Sequence, residues 1–409
     1  MKKYIIMFAL IPLLSGCWDQ TEIEEQSYII AMGLDKGEGD KVKITFVNAN
    51  PEVGIAQGGG ADEPPTEIVS FVANDFVSAR DTANSIIAKQ LTFHHALVLV
   101  VSEEYAKTEK FLKDIYSTLR ETQLRREMKV LVSKESASDF LRKNKPLMET
   151  RQHKYYQFMV NRAMETGLAP HSDIHRFMQI TEGDADLFLA MYITAVQNDE
   201  DNKIANEDEY YAGQLSKEGG NPTEAIGSAV FKEGKMIGKL TGEETRMALL
   251  FDKSSQVETM LATYPDPLHE KRRIAARIIK KKETDIELKK NTPTPTIKVT
   301  VPLSLELLAI PSLEEYVMNK DKQLLLEKSI EKHMEEEAKK LIKKTQEQFK
   351  GQPFYWSLSV RSAFLTNKNY KQFNFAEKYP NMDIVVDFHV DVTEFGQQIR
   401  TPELPEVRD

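Results

Sequence analysis

Ile297-Lys-Val-Thr-Val-Pro-Leu-Ser-Leu-Glu-Leu307 decides how the last third of this chain folds. Ile297, Val299, Val301, Leu303, Leu305 and Leu307 take every second position, with Lys298, Thr300, Pro302, Ser304 and Glu306 between them. Side chains on a strand point alternately to opposite faces, so the pattern predicts a half-buried strand. Pro302 cannot donate to a ladder and belongs at an edge or a bulge. Downstream the period lengthens. Leu326, Ile330, Met334, Ala338, Leu341, Thr345 and Phe349 recur at steps of three and four, predicting the inner face of a helix from about Lys322 to Lys350. Gly351 and Pro353 stop it. Period two returns at Trp356, Leu358, Val360 and Phe364, and again at Met382, Ile384, Val386, Phe388, Val390 and Val392, predicting two further strands. One long helix on a mostly antiparallel sheet buries all of these faces together.

Working towards the N-terminus, Ile226–Phe231 and Lys235–Leu240 flank Lys232-Glu-Gly234 as a hairpin. Thr241 and Glu244 have the spacing of a capping box and open a helix to about Phe251. Residues 147–210 carry no clear period, although Phe177, Ile180, Phe188 and Leu189 call for burial. Before them, strands at Tyr28–Leu34, Val42–Val47, around Ile68–Val72, at Ala96–Val101 and at Met128–Val132 alternate with helices at Ser78–Ala88, Lys107–Leu124 and Ser136–Leu141. Phe111, Ile115 and Leu119 form the inner face of the second of these helices. Strands alternating with helices argue for an α/β unit. Gly58-Gly59-Gly60 and Pro64-Pro65 mark a loop. The fold class is therefore mixed α/β or α+β. The expected division is a leader at 1–16, a tether at 17–26, an N-terminal α/β region at 27–150 and a middle region at 151–262. The middle region's 226–240 hairpin is free to pair with the N-terminal strands. A long-helix-on-sheet domain at 263–396 and a tail at 397–409 complete the chain.

The start of the chain bears on location. Lys2-Lys3, an apolar run from Tyr4 to Leu14, and Leu14-Ser15-Gly16-Cys17 have the layout of a secretory signal ending in a lipobox. Slim residues at Ser15 and Gly16 let a peptidase reach the bond, and Cys17, the only cysteine, offers the thiol for a diacylglycerol thioether. The new amine can take an N-acyl chain. Two chains anchor far better than one, because each buried methylene contributes about 0.8 kcal/mol. The plainer alternative is an ordinary cleaved signal. Beyond the leader no segment has 18 uninterrupted apolar residues, so the lipid would be the whole anchor. Removing residues 1–16 deletes Lys2 and Lys3 and no acid, taking the formal charge from −9 to −11. Such a chain does not suit the phosphate backbone of nucleic acids. The basic run from Lys271 to Lys282 stands against the trend, as a solvated face or as a contact for anionic headgroups or an acidic partner loop.

No catalytic set emerges. His171 and His175 are four apart, as metal ligands on a helix would be, yet no Glu-x-x-His or cysteine accompanies them, which favours a surface or capping role. His94-His95 reads as a packed pair, with pH sensing as the alternative. Asp199-Glu-Asp-Asn-Lys203 lacks the glycine and closing glutamate of a calcium loop. Gly58-Gly59-Gly60 lacks the Lys-Ser/Thr of a phosphate loop, and no Gly-x-Ser-x-Gly elbow frames a nucleophile. No metal and no cofactor beyond the lipid on Cys17 is expected.

Several stretches taken in order resemble the Ger(x)C family, the C-subunit lipoproteins of bacterial spore germinant receptors. They are Ser15-Gly-Cys-Trp-Asp-Gln-Thr-Glu-Ile-Glu24, Ile30-Ala-Met-Gly-Leu-Asp-Lys36, His94-His95, Ser102-Glu-Glu-Tyr-Ala-Lys107, Gly227-Ser-Ala-Val-Phe-Lys232 with Gly238 and Glu243-Glu244, and the closing strand Asp383–Val392 up to Gly396. Gln352-Pro-Phe-Tyr-Trp356 departs from the family's Asp and Gly-rich turn. The resemblance implies a three-domain lipoprotein on the outer face of the inner spore membrane, assembled with integral-membrane A and B subunits. Its function would be non-enzymatic, in nutrient-triggered germination. The segment Trp18 to Glu25 is the expected partner contact, with Trp18, Asp19, Glu22 and Glu24 its candidate residues, because Cys17 would hold it at the membrane. The rival reading is a solute-binding lipoprotein that delivers a small molecule to a transporter, which calls for a cleft with convergent polar groups.

Overall fold

The computed structural model describes residues 25–49, 66–118, 120–146, 149, 151–183, 185–197, 206, 208–255, 259–280, 282–290 and 292–396. Two sheets organise them. The larger holds β1 (Gln26–Lys36), β2 (Val42–Ala49), β3 (Thr66–Ala73), β4 (Gln90–Thr92), β5 (Val98–Ser102), β6 (Lys129–Ser133), β7 (Phe188–Thr194), β8 (Glu224–Lys232) and β9 (Lys235–Leu240). Its order is β3-β2-β1-β5-β6-β7-β8-β9, with β4 beside β1. The pairs β1–β5, β5–β6 and β6–β7 are parallel, and hairpins close both edges antiparallel. The sheet thus runs without a break from the expected N-terminal region into the expected middle region.

Both faces of this sheet are covered, as parallel strands require. On one face α1 (Phe76–Asn84), α2 (Glu103–Ala106), α3 (Glu109–Thr118) and α6 (Ile174–Thr181) bring Phe76, Tyr105, Phe111 and Phe177 against Phe46, Val101, Val132 and Phe231. On the other, α4 (Ala137–Lys143) and α5 (Gln152–Glu165) bring Phe140, Tyr156 and Val160 against Val100, Leu131 and Met191. Helix α3 stops at Thr118, short of the expected Leu124, and Leu119 lies outside the described residues. Helices α5 and α6 fill the stretch whose period was unreadable. The start of α6 was nonetheless written in the sequence, since the Asp173 side chain accepts from the Arg176 N–H as an N-cap.

The second sheet holds β10 (Thr259–Asp266), β11 (His269–Ile279), β12 (Asp285–Lys289), β13 (Thr296–Ala309) and β14 (Asp383–Glu394). Strand β13 is the alternating segment, and Ile297, Val299, Val301, Leu303, Leu305 and Leu307 are all buried. Its pairings with β11 and β12 are antiparallel, as is β10 with β11. The β13–β14 pair is parallel, because a helical crossover returns the chain to the end where β13 began. That crossover is α8 (Lys320–Lys344) with a π-helical turn at Thr345–Phe349, and every expected inner residue from Leu326 to Phe349 is buried. The strand expected at Trp356–Phe364 is not formed. Ser357–Ser362 is a short helix, α9 (α7, Gly242–Phe251, lies between the two sheets), and Trp356 and Val360 are both fully buried. A four-residue step satisfies helix and strand alike, so a run this short does not discriminate them. Two more short helices, α10 (Asn367–Phe373) and α11 (Phe375–Lys378), lead back to β14.

Candidate functional site

The two sheets meet around α7 (Gly242–Phe251). Its capping box forms as expected, the Thr241 side chain accepting from Glu244 N–H and Glu244 accepting from Thr241 N–H. The Glu244 carboxylate also takes both its oxygens to Lys344 Nζ on α8, at 2.8 and 2.7 Å. One side of β7, β8 and β9, through Leu189, Val230 and Leu240, joins the same apolar core as β13 and α8. At Gly238 the Phe349 ring lies so close that a Cβ would stand 2.4 Å from its Cε1.

The segment Gln352-Pro-Phe-Tyr-Trp356 ties the seam. Gln352 is fully buried. Its carbonyl accepts from Leu187 N–H at 2.9 Å, its side-chain oxygen accepts from Phe354 N–H at 2.8 Å, and its amide donates to Asp186. Asp186 accepts from the Ser357 N–H and hydroxyl as well. Burial pushes the Asp186 carboxyl up to about 6, against these hydrogen bonds, which favour the ionised form. Trp356 Nε1 donates to the Phe251 carbonyl at 3.3 Å.

Beside this seam opens a cleft of about 540 Å³. Met164, Ile180, Leu187, Leu189 and Ala248 supply apolar wall, and Tyr355 closes one side. Tyr355 has φ +57°, a left-handed conformation that is costly for an aromatic residue. Arg176 crosses the cleft, with its guanidinium 4.9 Å from the Tyr355 ring centroid, donating to Asp252 and to the Ser254 hydroxyl at 3.1 Å. His171 and His175 also line it. They do not share a helix: His175 is in the first turn of α6, whereas His171 precedes the cap and sits 2.8 Å from Lys129 Nζ. Burial, then Lys129, holds the His171 imidazole below its ordinary range. The volume suits a small organic molecule. The lining offers one arginine, two aspartates, one glutamate, hydroxyls and imidazoles. The Ser254 hydroxyl donates to the Asp252 carboxylate at 2.6 Å, and that carboxylate is already ion-paired with Arg176.

His95 stacks edge-on with Tyr28 at 5.2 Å in a turn before β5. The basic run forms β11, where Arg273 bonds Thr263, Arg277 pairs with Glu306 and Lys280 donates to the Asp252 carbonyl at 3.0 Å; Lys271 and Arg272 stay exposed. Leu14, Ser15, Gly16, Cys17, Trp18, Asp19, Glu22 and Glu24, the 58–60 glycines and the 199–203 loop lie outside the described residues. Among the described residues no three His, Cys, Asp or Glu side chains gather as a metal site, and no helix is long and apolar enough to cross a membrane.

Two family models match the chain in order. "Spore germination protein N-terminal domain" covers residues 19–194, and "Spore germination B3/ GerAC like, C-terminal" covers residues 226–396. Spore germination protein B3 of Bacillus subtilis (strain 168) is 22% identical over 400 residues, 96% of this chain and 98% of that one. Spore germination protein KC of the same organism is 31% identical over 108 residues, and that alignment spans 26% of each chain. The crystal structure of the GerBC protein superposes with a TM-score of 0.50 at 16% identity, covering 89% of this chain and 98% of that one, a likeness of fold. The first model takes in β1 to β7 and the second takes in β8 to β14, so the match follows the architecture from end to end. The chain belongs to the Ger(x)C family of spore germination proteins.

Proposed function

We propose that the protein is the lipid-anchored, non-enzymatic C subunit of a nutrient germinant receptor. The observation that carries this is the ordered match of both family models, over residues 19–194 and 226–396, on a chain that opens with a lipobox. In this reading Cys17 carries a diacylglycerol thioether, and the folded body stands on the outer face of the inner spore membrane. It is held beside integral A and B subunits. Confinement to the membrane plane raises the local concentration of partners, so weak contacts suffice for assembly.

Mass spectrometry of the native N-terminus tests the anchor: a lipidated Cys17 as first residue is expected, and an unmodified thiol behind an intact leader overturns it. Deleting the protein should abolish germination by nutrients while spores still form; normal nutrient response would remove the receptor assignment. The cleft beside Tyr355 favours one second reading, a solute-binding lipoprotein. Isothermal titration with amino acids and sugars separates the two, since tight one-to-one binding supports the second.

A further inference from the structure

An acidic chain keeps one strongly basic end. Strands β1, β5 and β6 are parallel and so begin at the same end of the large sheet. The turn entering β5 carries His94 and His95, and the loop entering β6 carries Arg120, Arg125 and Arg126, all exposed. Residues 172–175 run antiparallel alongside, His175 N–H donating to the Arg126 carbonyl at 2.9 Å, which brings His171 and His175 to the same end. Helix α5 flanks it, Arg125 and Gln157 lining one shallow hollow, and adds His153 and Lys154. Five of the eight histidines therefore collect here.

Arg120, Arg125, Arg126 and Lys154 make no ion pair among the described residues. Glu25 and Glu127 offset two of these charges, and other carboxylates at this end are neutralised, Asp173 by Lys129 and Glu121 by Arg80. The field is positive enough that, after burial, Arg125, His153 and His94 all help to hold the His95 imidazole below its ordinary range. Phe158 stands 56% exposed four residues beyond Lys154 on the outward side of α5. Glu25 and Gln26 open β1 at this same end, and nine residues at most about 30 Å long connect Gln26 to Cys17.

We propose that this end of the large sheet is a docking surface for anionic phospholipid headgroups, with Phe158 entering the interfacial layer. The proposal rests on the lipid-anchor reading for its geometry. An anchor at Cys17 forces one end of the molecule towards the bilayer, and this end carries the charge and the exposed ring that a headgroup layer accepts. Each Lys or Arg at an anionic surface strengthens binding on the order of fivefold.

The test is hydrogen–deuterium exchange on the full chain reconstituted with vesicles of phosphatidylglycerol or of phosphatidylcholine. Slower exchange in residues 94–97 and 120–128 is expected on phosphatidylglycerol alone, lost in 1 M salt and lost in the R125E/R126E/K154E variant. Reversing Lys271 and Arg272 on the other sheet should leave that protection unchanged, which controls for general charge and folding. Retention on both vesicles without the lipid-dependent protection sinks the surface and spares the anchor. Retention on phosphatidylglycerol alone, with protection, sinks the anchor and keeps the surface. Protection that needs the integral subunits and ignores the lipid assigns this end to a protein and overturns the proposal.

Discussion

Asp35 lies near the end of β1, and its carboxylate accepts from the main-chain N–H groups of Ala137 at 2.6 Å and Ser138 at 2.9 Å. These are orphan donors at the start of α4, so one strand residue anchors a helix about a hundred positions later. Gly33 beside it lets Leu141 close in, since a Cβ there would stand 2.8 Å from Leu141 Cδ1. The stretch Ile30–Lys36 is thus a strand-to-helix joint. Asp35→Ala should cost about 1–3 kcal/mol, and Asp35→Asn less, measured by urea unfolding. Equal losses for the two would mean that the bonds to α4 contribute little. Asp186 acts in the opposite sense. Its folded value of about 6 lies above its ordinary 3.8, so its contribution to stability is fully present below pH 4 and is lost as pH rises through 6. The stability of Asp186→Asn should therefore be flatter across pH 4–7, by up to about 3 kcal/mol relative to the native chain. Amide and carboxyl share the same shape, and the Ser357 hydroxyl can accept from the amide as it donates to the acid. Superimposable pH profiles would contradict this account.

At the scale of the element, α8 does more than cover a sheet. Strand β14 pairs with β13 on one side, and its other edge faces the helix. Glu331 and Glu327 accept from the Val390 and Val392 N–H groups, each at 2.9 Å, and Gln323 donates to the Val392 carbonyl at 3.1 Å. Three side chains at four-residue spacing thus stand in for part of a missing strand. An edge with unpaired N–H groups is a template for another chain. The double substitution Glu327→Ala/Glu331→Ala should cost about 3–5 kcal/mol and raise self-association, read by thermal melting and light scattering. An unchanged melt would show that water replaces both carboxylates. The buried stripe of α8 was fully legible, because period 3.6 reports which residues face the core. Glu327 and Glu331 carry no such mark among the many charged residues of this helix. Hydropathy separates wet from dry and is silent about which polar residue meets a main-chain donor far away in sequence. The same limit applies at Gln352–Trp356, which follows the helix stop at Gly351 and Pro353 and carries no period of its own. What decides its shape is Asp186, more than 160 residues upstream.

The whole molecule turns on whether its two sheets behave as one body. Their faces share one core at Leu189, Val230, Leu240 and α8, and Lys344, Phe349 and Gln352 cross the seam as ion pair, ring packing and main-chain bridge. None of this was readable from local pattern: the strand periods gave the sheets separately, and the segment joining them carries no period. The cleft with Arg176 and Tyr355 was likewise invisible, since its walls come from stretches some 190 residues apart, although the cap at Asp173 placed one wall. Cooperative behaviour follows from the size of the shared core. Thermal unfolding followed by tryptophan fluorescence, which Trp356 reports from the seam, should coincide with unfolding followed by far-ultraviolet dichroism, which reports both sheets. Phe349→Ala leaves a cavity over Gly238 and removes the ring that joins α8 to β9. It should cost about 3–5 kcal/mol and separate the two curves, the fluorescence change coming first. Gly238→Ala attacks the same contact from the other side by overpacking, at about 1–3 kcal/mol. If either variant melts with coincident curves at the native temperature, the contact between Phe349 and Gly238 does not hold the two sheets together, and their coupling must come from the rest of the shared core.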